Sequence, residues 1–236
     1  MKPDPAVLLP YSIESFLTES EVRQILRSID AFKTANPDRL QAGANGVTIH
    51  ENPSLAIHKC SGLTVAEIVS IFEPAGRIEI NHQYIPRDVV DIAERAFFRH
   101  IEDIRRAYPG SHCPHAFTYV EYGVGQYFTP HMDGIAGGVV DGQIAGFGVA
   151  LTDEFEGGEF VVQTCGSNRL WVFDTAGNLE LRPAHDSSSE WFRSLPKTEW
   201  AVRPKRGDAI FYGSALTHGS KPVTNGRLKK LLGFIH

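Results

Sequence analysis

The sequence predicts a mostly β protein with flanking helices, its strands gathered in the C-terminal half and helical support ahead of them. Two observations carry that prediction. From residue 116 onward, short runs rich in aromatic and β-branched residues alternate with Gly, Asn, Asp or Pro, which is the punctuation of a short-stranded β domain. Before residue 116 the apolar residues recur at helical spacing instead. We therefore expect one domain over 1–236, with mainly helical support over 1–115 and a β core over 116–236.

Thr18-Glu19-Ser20-Glu21 is a capping-box pattern. Val22, Ile25, Leu26 and Ile29 follow it at the spacing of one helix face. A longer helix is predicted over 87–107, with Val89, Ala93, Phe97, Ile101 and Ile104 as its apolar stripe and Arg, Asp and Glu opposite. Such a stripe is core rather than a partner-binding face. Residues 41–51, between the helices, are rich in Gly and Asn and read as a loop near a pocket mouth. In His112-Cys113-Pro114-His115 no second Cys/His pair stands at zinc-finger spacing, and the proline marks a loop leading into a strand. Strands are predicted over 116–122, 146–151, 159–163, 170–173, 209–211 and 228–235. Gly157-Gly158 suits a tight turn before Glu159. His50, His58, His82 and His185 are too scattered to form a site.

Residues 168–200 are long for a connection and hold Trp171, Trp191, Phe192 and Trp200. Loops on a rigid β scaffold often select substrate. Trp191 and Phe192 are therefore candidate substrate contacts, and a local hydrophobic plug is the equal alternative.

With 42% hydrophobic and 22% charged residues, the chain has the make-up of a globular protein with a substantial core. Net charge −5 and a pI near 6.1 argue against a large phosphate-binding surface, so no nucleic-acid partner is expected. No run approaches the ~18 apolar residues of a membrane span, and the first residues lack the apolar core of a secretory signal. Cys60, Cys113 and Cys165 are odd in number and widely spaced, which favours free thiols in a reducing, cytoplasmic setting.

The chemistry is concentrated in His131-Met132-Asp133 and the distant His218. On a strand, residues i and i+2 project to one face, so His131 and Asp133 can reach one ion together. Two imidazoles and a carboxylate form a facial triad that leaves other positions open, which suits non-haem Fe(II). An isolated His-x-Asp is weak evidence in a chain with 10 His and 28 acids. The context is what makes it specific. Tyr122-Gly-Val-Gly-Gln-Tyr-Phe-Thr-Pro-His131 precedes it, Leu151-Thr-Asp-Glu-Phe-Glu-Gly-Gly-Glu-Phe160 follows, and the run from Pro204 through His218 to Arg227 completes the set.

In order and character these blocks resemble the prolyl-4-hydroxylase-like family of iron(II)/2-oxoglutarate-dependent dioxygenases, over residues 117–236. The resemblance implies a double-stranded β-helix, or jelly-roll, core. It also implies Fe(II), 2-oxoglutarate as co-substrate, O2, and ascorbate as an accessory reductant. Arg227 stands nine positions after His218, where the family places the basic residue that anchors the distal carboxylate of 2-oxoglutarate. A guanidinium fork suits a carboxylate. Lys229 and Lys230 are read as solvated or edge-strand charges. Relatives commonly carry Tyr-Leu-Asn where this chain has Ala150-Leu151-Thr152, so Tyr122 or Tyr119 is the candidate for the missing hydroxyl. Asp133 argues against halogenation, because halogenating relatives replace that carboxylate.

Three functions follow from the resemblance. The leading one is oxidation, chiefly hydroxylation, of an unactivated C–H bond in a small molecule such as an amino acid or metabolite, with release of succinate and CO2. The second is the same reaction on a protein or peptide, for example peptidyl proline. The third is a non-catalytic jelly-roll binding domain. The intact triad with Arg227 disfavours the third.

Overall fold

The computed structural model describes residues 9–37, 77–80, 82–131, 143–165, 171–173, 175–177, 179–181, 194, 196–214 and 216–236; for residues 129, 131, 164–165, 171–173 and 179–181 the description is of the backbone alone. The chain starts with β1 (Pro10–Ile13), α1 (Glu19–Ala35), β2 (Ile78–Ile80), α2 (Arg87–Arg99) and α3 (Ile101–Ala107). It continues through β3 (Pro114–Tyr122), β4 (Phe128–His131), β5 (Ala145–Ala150), β6 (Phe155–Gly157) and β7 (Phe160–Cys165). Next come β8 (Trp171–Phe173), β9 (Leu179–Leu181), β10 (Lys197–Val202), β11 (Ala209–Gly213), β12 (Thr217–Ser220), β13 (Val223–Gly226) and β14 (Leu228–Ile235).

The capping box forms as the sequence indicates. Thr18 Oγ1 accepts the Glu21 N–H at 3.3 Å, and Glu21 Oε2 accepts the Thr18 N–H at 2.8 Å. Two of the helix's otherwise unpartnered amides are satisfied this way. Glu21 is also bound by Arg99 of α2 at 2.9 Å, and that guanidinium holds its carboxyl down at about 2. One residue therefore caps α1 and ties it to α2. Thr18→Ala is expected to lower stability by about 1 kcal/mol, read as a shifted denaturant midpoint with unchanged slope.

The long helix predicted over 87–107 is two helices. His100 sits at φ −106°, ψ 12°, outside the helical region, and its ring stacks on Phe16 with centroids 5.4 Å apart. The stripe is nonetheless core. Val89, Ala93, Phe97 and Ile104 are fully buried and Ile101 packs against them.

Two sheets face each other. The larger runs β1-β11-β5-β14-β3-β2 and the smaller β10-β7-β12-β4, with every ladder antiparallel. This is the jelly-roll arrangement. Strand parity divides the larger sheet. Phe117, Tyr119, Phe147, Phe211, Leu231 and Ile235 face the helices and bury with Phe16 and Phe97. Thr118, Val120, Tyr122, Lys230, Leu232 and Phe234 face the smaller sheet. Gly157 and Gly158, at φ +69° and +66°, make the turn into β7 that their sequence implies. No helix of the described residues is long and apolar enough to cross a membrane.

Candidate active site between the sheets

The two inner faces enclose a cavity of about 190 Å³. β12 supplies His218 and Ser220, β14 supplies Lys230 and Leu232, and Tyr122, Phe128, Phe160, Ile210 and Tyr212 supply aromatic and apolar walls. Pockets for drug-sized ligands run to roughly 300–1,000 Å³, so this one suits small ligands.

His218 is 5% exposed. Its Nδ1 lies 2.9 Å from the Leu216 carbonyl, which can only accept, so Nδ1 carries the proton and donates. Nε2 is then the ring atom that could bind a metal, the arrangement that orients most ligating imidazoles. Tyr212 lies against the imidazole at 3.9 Å between centroids, and Phe160 stacks at 5.8 Å. The Tyr212 ring needs Gly146 beneath it, because a Cβ there would come within 2.6 Å of the ring.

The partner of His218 comes from strand register. β12 pairs with β4 so that His218 and His131 are directly opposite. Two histidines 87 positions apart in sequence become cross-strand neighbours. Asp133, two residues beyond His131, lies outside the described residues, as do Trp191, Phe192 and the 41–51 loop. Among the described residues no three His, Cys, Asp or Glu side chains gather around one point. The donor chemistry at hand still fits a divalent ion: a buried imidazole with Nδ1 committed and a second histidine in register beside it.

Lys230 brings a buried cation to the cavity. Its Nζ donates to Ser220 Oγ at 2.9 Å and stands 5.8 Å from the Tyr122 ring centroid. Burial pushes the ammonium down to about 8. Lys230 is thus neither solvated nor at a sheet edge, contrary to its sequence reading, since β14 lies between β5 and β3. Arg227 is on the other side. Its side chain is 54% exposed, and Nη1 donates to Glu121 at 2.8 Å. Glu121 also binds Lys33 of α1 and the Tyr119 hydroxyl, at 2.9 and 2.8 Å. Parity explains the outcome: positions 228, 230, 232 and 234 share the cavity face, and 227 does not. The same rule separates the two tyrosines. Tyr122 lines the cavity, whereas Tyr119 is buried toward the helices with its hydroxyl spent on Glu121. Ala150, at the place of the tyrosine that relatives carry, also lines the cavity.

Sequence reasoning missed Lys230, Ser220, Arg77 and Glu79. Two signals were present. Lys230 shares the period-two face of Leu228 and Leu232, and the alternation Arg77-Ile78-Glu79-Ile80 marks a strand with charges on one face. The His112-Cys113-Pro114-His115 run is the loop into β3: Pro114 opens the strand and Cys113 is exposed. His115 packs on His236 at 3.9 Å, and burial with its neighbours His236 and His82 pushes its imidazole down to about 4.

A family profile described as the 2OG-Fe(II) oxygenase superfamily matches residues 117–236. No curated protein matches the chain in sequence. Similar solved structures include a Pseudomonas putida prolyl-4-hydroxylase, 13% identical, with 99% of this chain and 95% of that one covered at a TM-score of 0.53. A Trichoplax adhaerens prolyl hydroxylase in complex with a hypoxia-inducible-factor peptide fragment is 11% identical, with 96% and 83% covered at 0.54. SnoK, a non-haem α-ketoglutarate-dependent carbocyclase of nogalamycin biosynthesis, is 13% identical, with 98% and 81% covered at 0.58. At these identities the structures speak for the jelly-roll fold, and the profile, spanning half the chain, speaks for the family. This chain belongs to the 2OG-Fe(II) oxygenase superfamily and is an enzyme of the type that uses Fe(II), 2-oxoglutarate and O2.

Proposed function

We propose that this enzyme hydroxylates an unactivated C–H bond of a small molecule. The observation that carries the reading is the cavity itself: about 190 Å³, with an oriented imidazole on one wall and a buried ammonium on the facing wall. His131, Asp133 and His218 would hold the iron, which when bound supplies the chemistry of dioxygen reduction. Lys230 and Ser220 bind the distal carboxylate of 2-oxoglutarate, in place of Arg227. Tyr122 flanks the ammonium. Val120, Phe128, Phe160, Ile210 and Leu232 exclude water from the space between. In the overall reaction one oxygen atom enters the C–H bond as hydroxyl and the other enters succinate, while C1 of 2-oxoglutarate leaves as CO2. The C–H bond and the 2-oxo acid each give up two electrons, which together reduce one O2.

Peptide oxidation is the second reading, supported by the prolyl hydroxylases among the similar structures. The test is Fe(II)-dependent conversion of 2-oxoglutarate to succinate, screened with amino acids, metabolite extracts and proline-rich peptides. Stimulation by a small molecule, with a product one oxygen atom heavier, is expected. Stimulation by peptides alone would establish the second reading instead.

The Lys230 assignment makes co-substrate binding depend on pH. Below about pH 8 the ammonium is charged and meets the carboxylate; above it the free protein holds a neutral amine. Affinity for 2-oxoglutarate is therefore expected to be flat below pH 8 and to fall by roughly tenfold per pH unit above it, until the pKa of the bound form is reached. Calorimetric titration with a redox-inert divalent ion in the site checks this. Affinity that stays flat through pH 8 contradicts it.

A further inference from the structure

Arg77 and Glu79 stand two positions apart at β2, on the face opposite Ile80, so both side chains enter the cavity. They are only 6% and 5% exposed. Arg77 donates to Glu79 Oε2 through both Nε, at 3.0 Å, and Nη2. Its guanidinium carbon lies 4.6 Å from the Phe128 ring centroid, which fixes its plane. Stability does not account for such a pair, because burying two charges costs about as much as their attraction returns. Neither the proposed iron ligands nor the proposed 2-oxoglutarate anchor includes the pair. Glu79 pairs with Val120, and Val120 with Lys230, so Glu79 and Lys230 are two strand spacings apart, roughly 10 Å.

We propose that Arg77 and Glu79 form the primary-substrate subsite and select a free α-amino acid. The proposal rests on the dioxygenase reading above and names the substrate class of that site. Glu79 engages Arg77 through Oε2; Oε1 accepts no hydrogen bond among the described residues. A guanidinium has five N–H donors, of which two go to Glu79. An amino-acid head group laid antiparallel to the pair puts its ammonium on Glu79 and its carboxylate on Arg77. The four charges then alternate, and none is buried beside a like charge alone. A simple anion would face Glu79 without a cation of its own. A simple cation would face Arg77 and Lys230. A mid-chain peptide segment carries neither charge of the head group.

The experiment uses the full chain with Fe(II), 2-oxoglutarate and O2. It measures succinate release with each of the common L-amino acids, and with the methyl ester and N-acetyl derivative of any that stimulates. At least one free amino acid is expected to stimulate release and to gain an oxygen atom. Both blocked forms should have a KM at least about tenfold higher, the loss of one charge-assisted hydrogen bond. Glu79→Gln should raise the amino-acid KM by a similar factor. Because a single substitution leaves one buried charge alone, Arg77→Met/Glu79→Met removes both; a cooperative thermal transition shows that it folds, and amino-acid stimulation should be lost. Blocked forms that work as well as the free amino acid, stimulation by proline-rich peptides alone, or a folded double variant with unchanged amino-acid KM would each overturn the proposal. Succinate release from 2-oxoglutarate that no amino acid stimulates would overturn this proposal alone. No Fe(II)-dependent succinate under any condition would overturn the dioxygenase reading beneath it.

Discussion

Lys230→Met is expected to raise the KM for 2-oxoglutarate by about tenfold to more than a hundredfold. The range follows from losing a charge-assisted hydrogen bond, roughly 1.5–3 kcal/mol. It applies in full because the ammonium is buried against Ser220 and Tyr122, where solvent does not replace it. Methionine keeps the length and apolar volume of the side chain, and it removes a charge that burial disfavours. The melting temperature should therefore not fall, which separates lost binding from lost folding. Arg227→Ala is the matched control. It removes a half-exposed side chain from the far face of the sheet, and Glu121 keeps Lys33 and Tyr119 as partners. The 2-oxoglutarate KM should stay at the wild-type value. A sharp rise for Arg227→Ala with none for Lys230→Met would return the anchor to Arg227.

His218→Ala is expected to abolish turnover and to weaken divalent-metal binding by more than about a hundredfold. Loss of a residue that only orients a ligand already costs about 10–100-fold, and His218 is proposed as a ligand itself. The variant leaves a cavity beside Tyr212 and Phe160, so its fold must be checked by thermal unfolding. His131→Ala should behave alike, since β4 and β12 hold the two residues opposite each other. Wild-type metal affinity and turnover in a folded His218→Ala protein would remove His218 from the site.

Local patterns were the legible part of this fold. The α1 cap was written in Thr18 and Glu21, and β14 spans the eight residues whose side chains predict it. β3 begins two residues early because Pro114 can open a strand without donating to a ladder. The break at His100 was not legible, because the apolar stripe continues across it and only the backbone angle changes. Within the site, the distance from His218 to a basic residue singled out Arg227, whereas the period of two along β14 puts Lys230 on the cavity face and Arg227 off it. Spacing along a chain says little about facing when the strand boundary is unknown, and β14 starts just after Arg227. The Arg77–Glu79 pair was legible only as an alternation of charge along the chain. Glu79 lies on a three-residue strand ahead of the β core and Arg77 directly precedes that strand, so their place in the cavity follows only once β2 adds to the edge of the larger sheet.

The most direct test of the account is release of labelled CO2 from 2-oxoglutarate labelled at C1, measured for the purified protein with and without Fe(II). Release that requires Fe(II), O2 and the protein, and that 2-oxoglutarate saturates more weakly as pH rises above 8, is the predicted result. No release above the iron-free control would contradict it.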